Sequence, residues 1–130
     1  VQVAMNGRGY LADSCSACGG PGAAFMSTGC PEERRWTYDR FEYSALELVG
    51  KSLTYSVDLS GSHCGCNAAL YFVSMRQNTD ASKCADYYCD ANEVCGVRCT
   101  EIDLQEANRH AWYTTLHTST DGDGVGKGLG

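Results

Sequence analysis

The sequence predicts an all-β fold, an antiparallel β-sandwich stabilised by disulfide bonds. Two observations lead there: runs between residues 41 and 75 alternate apolar with polar residues or are continuously apolar and β-rich, and no amphipathic helical stretch is long enough to dominate. The third is nine cysteines in 130 residues, at 15, 18, 30, 64, 66, 84, 89, 95 and 99, a density that points to an oxidising compartment. A chain of 130 residues is expected to form one domain, residues 1–130, and to bury roughly two-thirds of its unfolded surface.

Residues 1–37 are rich in Gly, Ser, Ala and Cys without a sustained period, and read as loop with short extended pieces. Order begins after Trp36. "FEYSALELV" (41–49) sets Phe41, Tyr43 and Ala45 against Glu42 and Ser44 and shifts phase at Leu46, which predicts a bulged strand. "LTYSVDL" (53–59) places Leu53, Tyr55, Val57 and Leu59 on one side and Thr54, Ser56 and Asp58 on the other, the pattern of a half-buried strand. After the turn "SGSHCGCN", the run "AALYFVSM" (68–75) is apolar on both faces, a strand with neither face fully wet. Residues 76–86 read as a polar loop and "YYCDANEVCGVRC" (87–99) as a compact, disulfide-bound connection. "DGDGVGKGLG" (121–130) reads as a flexible turn region; its opening resembles a calcium loop, but no Glu stands at the twelfth position, which favours a plain glycine-rich turn.

Ten basic against sixteen acidic residues give a net charge of −6, and the only basic cluster is within "EERR" (32–35). Nucleic acid and anionic membranes are therefore not expected partners. No apolar run approaches a membrane span, and no basic-then-apolar leader opens the chain, as expected of the mature form if the protein is secreted. "CSAC" (Cys15, Cys18) has a zinc-like gap, but no second pair shares it and "CGC" (64–66) is too tight for two ligands, so disulfides are favoured over metal. The odd count leaves one thiol over, or a partner elsewhere.

"CTEIDLQEANRH" (99–110) carries three acids, Glu101, Asp103 and Glu106, among apolar neighbours. In a regular strand Glu101, Asp103 and Gln105 share one face, Ile102 and Leu104 point into the core, and Glu106 falls on the wrong side. A one-residue bulge between Asp103 and Glu106 would return it to the face of the other two, and bulges are frequent beside active sites. The two glutamates would then have Cα atoms about 13 to 15 Å apart at ~3.3 Å per residue. Inward-leaning side chains could bring the carboxyls to the ~5 to 5.5 Å that a retaining glycosidase needs, one ionised to attack and one protonated to release the leaving oxygen. An Asp between them can hold a partner in place and raise the acid's pKa. Taken alone, the spacing favours a solvated strand edge bearing ordinary charges, since acids at i, i+2 and i+5 are common.

A resemblance shifts the balance. "TEIDLQEAN" resembles the signature of the retaining cellulases of glycoside hydrolase family 7, roughly Ser-Glu-Met-Asp-Ile-Trp-Glu-Ala-Asn. "CGCNAALYFVSM" (64–75) and "ELVGKSLTYSVDLS" (47–60) resemble two strands of that family, "GPGAAFMSTG" (20–29) its Gly-Ala-Ala-Tyr segment and "YYCDAN" (87–92) its Gly-Tyr-Cys-Asp connection, all in the family's order. The resemblance implies a concanavalin-like jelly roll, compact or partial, and a β-1,4-glucan hydrolase, endo- or exo-acting, on cellulose-like polysaccharide. It implies no cofactor and no metal, and a secreted location.

Position by position, the resemblance implies Glu101 as nucleophile, Asp103 as assisting carboxylate and Glu106 as general acid/base. It implies that Tyr71 hydrogen-bonds near the nucleophile and that Asn67 lines the groove. Asp90 and Asn92 fall where the family contacts the sugar beside the scissile bond, and His117, eleven residues after Glu106, matches a groove histidine. Cys89 and Cys99 align with two cysteines that pair in the family, a bridge that would pin the Asp90 loop against the acid-bearing strand. His63 and His110 are left as surface residues.

The sequence also departs from the family. It corresponds only to the central, catalytic-strand portion, and the part supplying further strands, groove tryptophans and the partner of Cys64 has no counterpart in it. Gln105 replaces the signature tryptophan, and neither Trp36 nor Trp112 aligns with a groove tryptophan, so sugar stacking would fall to tyrosines. The alternative expectation is therefore a non-catalytic carbohydrate-binding or structural subunit, in which another chain or segment completes the sheets. An unrelated disulfide-rich binding module is the third.

Overall fold

The computed structural model describes residues 2–5, 7–13, 40–84, 87–118 and 121. The expectations for residues 14–37, with Cys15, Cys18, Cys30, "EERR" and Trp36, and for the glycine-rich turn after Asp121 lie outside the described residues.

Among the described residues the architecture is all-β and antiparallel, with no α-helix. Strands β1 (Ala68–Val73), β2 (Glu101–Asn108) and β3 (Ala111–His117) form one three-stranded sheet in the order β1-β2-β3. β1 is the apolar, β-rich run expected, partly buried along its length except at Ala69. β2 and β3 form a hairpin closed by Asn108, whose Oδ1 accepts from the amides of His110 (2.8 Å) and Ala111 (3.1 Å). A side chain that bonds its own backbone two and three residues on makes the turn without glycine.

Register sorts the side chains into two faces, since directly opposed residues point the same way. Asp103 pairs with Tyr71 and Thr115, Glu101 with Val73 and His117, and Glu106 with Ala69 and Tyr113. The register shifts between Asp103 and Glu106, where β2 spends one residue more than either neighbour. That bulge carries Glu106 back to the face of Glu101 and Asp103. Gln105 consequently lies opposite Leu70 on the other face, with its Nε2 donating to Ala68 O at 2.9 Å.

The core sits over one end of the acid face. Tyr43, Met75, Tyr88, Cys89 and Cys95 are buried together, flanked by Tyr10, Tyr71 and Val73. The 87–99 connection is tied down by two disulfides, Cys84–Cys95 and Cys89–Cys99. Among the described residues Cys64 and Cys66 are in no disulfide, and they flank Gly65, which takes the left-handed φ of 84° that a side chain would resist.

Three expectations are corrected. Residues 41–49 are not a bulged strand: Arg40–Glu42 is a 3-10 turn, and Tyr43 makes only an isolated bridge to Ala12. The backbone groups a ladder would use are taken elsewhere, since Tyr43 O accepts from Arg76 Nη1 at 3.1 Å and Tyr43 N donates to Arg40 O at 3.3 Å. Residues 53–59 form no ladder either, and Leu53, Tyr55 and Val57 are exposed. Alternation fixes which side chains share a face, but a strand also needs a neighbour, and none pairs with this run among the described residues. Tyr55 of this run stacks on Trp112 of β3, with 6.5 Å between ring centroids.

The third correction inverts a face. Ile102 was expected inward, yet it is 43% exposed while Glu101 and Asp103 are 7% and 5% exposed. The disulfide connection covers the acid face at Glu101 and Asp103, while on the opposite face Ile102, Trp112 and Leu116 are exposed and Gln105 and Ala107 are buried. Burial here follows what packs on a face, and that depends on segments distant in sequence.

Candidate active site

Glu101, at the start of β2, is fixed by the connection above it. Ala91 N donates to Glu101 Oε2 at 2.9 Å, a bond that orients one oxygen. Burial nevertheless dominates, and with the charges of Asp103 and Asp90 it pushes the Glu101 carboxyl up from 4.5 to about 7, against the Ala91 amide and His117. Asp103 is also raised, by burial first and then by the Glu106 charge, with His117 and a hydrogen bond from Glu101 opposing. Glu106 is half-buried and held from β1's approach, where Asn67 Nδ2 donates to Glu106 Oε1 at 3.1 Å. Asn67, Glu106 and Tyr113 line an open hollow of about 230 Å³ at the hairpin end of the sheet.

On the β1 side, Tyr71 and Tyr88 share a hydroxyl hydrogen bond of 2.9 Å. Burial raises both phenols, and the neighbouring Asp90 adds to each shift, so both stay neutral and can donate. The Arg8 guanidinium lies 3.8 Å from the centre of the Tyr88 ring, a cation on an aromatic face. On the β3 side, His117 Nε2 lies 3.3 Å from Asp103 Oδ2 and its Nδ1 lies 3.1 Å from Asp121 Oδ2.

Of the residues singled out in the sequence, one cluster therefore contains Glu101, Asp103, Glu106, Asn67, Tyr71 and His117. Asp90, 3% exposed, is near enough for its charge to act on Glu101 and Asp103, but its Oδ1 accepts from Val94 N at 3.0 Å and so also holds its own turn. Asn92 is exposed on that turn, and among the described residues no hydrogen bond joins it to the acids. Tyr88 and Asp121 were missed. Tyr88 is marked only by its place beside Cys89, and Asp121 by a motif whose glycines speak for a turn.

One atom each from Glu101, Asp103 and His117 lies within 4.8 Å of the others, a spacing that suits a cation. Both ring nitrogens of His117 already face carboxylates, however, and Glu101 takes the Ala91 amide. The group is an acid–histidine array whose members are already joined to one another and to their neighbours.

The raised Glu101 has a consequence for stability. Between an unfolded value of 4.5 and a folded value of about 7, the folded chain binds more protons than the unfolded chain. The contribution is thus complete at acid pH, below the unfolded value, and is lost as pH rises through the folded one. Asp103, raised as well, acts in the same direction. The thermal midpoint of the parent chain, minus that of Glu101→Gln, should fall as pH is raised through this window. A difference that is flat or rises with pH would contradict the buried, proton-holding carboxyl.

Comparison with known proteins places this geometry in context. Residues 32–93 match the profile of glycosyl hydrolase family 7, a span that includes β1 and Asp90 and stops before β2. The chain is 35% identical over 112 residues to endoglucanase EG-1 of Hypocrea jecorina, covering 68% of this chain and 24% of that protein. It is 32% identical over 99 residues to a probable endo-beta-1,4-glucanase, celB, of Aspergillus terreus, covering 61% and 24%. It is 30% identical over 122 residues to exoglucanase GH7B of Limnoria quadripunctata, covering 65% and 27%. The chain thus spans about a quarter of the length of these relatives. No solved structure matches it. These agreements support a partial region of glycosyl hydrolase family 7 in this chain, similar to that family over residues 32–93.

Proposed function

We propose that the chain is a retaining β-1,4-glucan hydrolase of cellulase type, with residues 1–130 forming a single truncated or minimal domain. The observation that carries this reading is the bulge between Asp103 and Glu106, which sets two glutamates and an aspartate on one face beside Asn67, Tyr71 and His117. The names of the relatives, endoglucanases and an exoglucanase, support a β-glucan or cellulose-like substrate attacked within or at the end of a chain.

In this reading Glu101 attacks the anomeric carbon and Glu106 protonates the leaving oxygen, then takes a proton from the water that releases the sugar. Glu101 is suited to attack by its fixed orientation on the Ala91 amide, and Glu106 to proton exchange by its place on the open hollow. Asp103 and His117 hold the charge between them. Because Glu101 must be ionised to attack, the acid limb of kcat/KM should reflect its pKa of about 7 in the free enzyme. The same raised pKa would suit Glu101 as proton donor, with Glu106 attacking, and this is the second reading. Two disulfides among the described residues suit an oxidising compartment, and no helix there is long and apolar enough to cross a membrane.

The test is the product of an aryl β-cellobioside followed by proton NMR. Chromophore release with the β-anomer formed first is expected. Release of the α-anomer, or no release at all, would contradict the proposal, and the second outcome would favour a non-catalytic carbohydrate-binding or structural role.

A further inference from the structure

Asp121 opens the glycine-rich motif whose sequence speaks only for a turn, yet its carboxyl is directed at the acid face. Its Oδ1 accepts from Thr118 Oγ1 at 2.6 Å and its Oδ2 lies 3.1 Å from His117 Nδ1. Arg98 Nη1 donates to the Asp121 carbonyl at 2.8 Å, which ties this residue to the same connection that covers Glu101. The Thr118 hydroxyl, with His117, holds the Asp121 carboxyl below the usual carboxylate range, so it is ionised and can only accept.

Polarity then follows around the ring. An imidazole nitrogen facing an ionised carboxylate must carry the proton, so Nδ1 is the N–H. Nε2 is presented to Asp103 Oδ2 at 3.3 Å, where a hydrogen bond requires a proton on one of the two atoms. The charged groups facing the array are Glu101, Asp103 and Glu106 from β2, with Asp90 beyond Glu101, and Asp121 after β3.

We propose that Asp121 is a positioning residue of this site, holding His117 by Nδ1–H so that Nε2 is aimed at Asp103 and, through it, at Glu101. Among the described residues no hydrogen bond joins its carboxyl to Glu101, Asp103 or Glu106, and it acts through His117. Its effect on turnover rests on the hydrolase reading, whereas its effect on the ring does not.

The test is Asp121→Asn in the full chain, nearly isosteric, read by long-range ¹⁵N–¹H correlation of the histidine rings without substrate. The parent should show His117 with a protonated Nδ1, and the variant should move the neutral ring toward the Nε2–H form. Thr118→Val, which removes only the hydroxyl on Asp121, should move it the same way by less. On an aryl β-cellobioside, the asparagine variant should lose about tenfold or more in kcat with KM within about twofold, the scale seen when a histidine's orienting partner is removed. An unchanged ring tautomer in both variants would overturn the proposal, whatever happens to turnover. If the parent turns over no substrate, the hydrolase reading fails, while the ring spectra still decide the role of Asp121.

Discussion

Glu101→Gln should reduce turnover of an aryl β-cellobioside by about 10,000-fold or more, while binding of cellobiose and folding persist. Glutamine keeps the shape of the side chain, and its carbonyl oxygen can still accept from the Ala91 amide that now meets Glu101 Oε2 at 2.9 Å. The connection above the sheet therefore has no reason to move. What is lost is the carboxylate that can attack carbon, and no neighbouring group replaces it at that position. The substitution also removes a buried group that resists ionisation, so the variant should be at least as stable as the parent above the Glu101 pKa of about 7. Loss of activity with gain of stability separates failed chemistry from failed folding. A variant as active as the parent would remove Glu101 from the mechanism.

Replacing both cysteines of the Cys89–Cys99 bridge by alanine should have the largest effect on stability. The bridge closes a loop with a sequence separation of 10, and constraining a loop of that size in the unfolded chain contributes about 3 kcal/mol. Cys89 is fully buried in the cluster with Tyr88 and Cys95, so the loss adds a packing defect to the entropic term. The double replacement avoids leaving one thiol to exchange with Cys64 or Cys66. The Cys84–Cys95 bridge remains, so the connection should loosen without coming away entirely. Asp90 and Ala91 lie inside the broken loop, and Ala91 orients Glu101, so activity should fall with stability. A urea midpoint equal to that of the parent would show that the connection is held by its packing and hydrogen bonds alone.

Much of the acid face was legible in the residues of β2. Three acids at 101, 103 and 106 cannot share a face of a regular strand, and the apolar residues between them leave a bulge as the means to reunite them. The observed register shift lies between Asp103 and Glu106. The same reasoning erred on Ile102, because alternation says that two faces differ and not which of them the rest of the chain covers. "LTYSVDL" alternates as cleanly as any strand, yet pairing is a property of two segments and its sequence describes one. Asp121 was illegible for a related reason. The glycines that follow Asp121 speak for a turn, whereas its carboxyl meets His117 and Thr118, four and three residues before it, and only the path of the chain after β3 turns it back onto them.

The central claim is that Glu101 forms a covalent bond to the sugar while Glu106 exchanges the proton. A 2-deoxy-2-fluoro-cellobioside with a good leaving group tests it, because the fluorine slows both formation and hydrolysis of the glycosyl-enzyme and the activated aglycone speeds only formation, so the intermediate accumulates. Digestion after Arg98 and Arg109 gives one peptide containing Glu101, Asp103 and Glu106, and fragmentation within it locates the added sugar. The account predicts a label on Glu101 in the parent and none in Glu101→Gln. A label on Glu106, or a parent chain that turns over substrate and never carries a label, would contradict it.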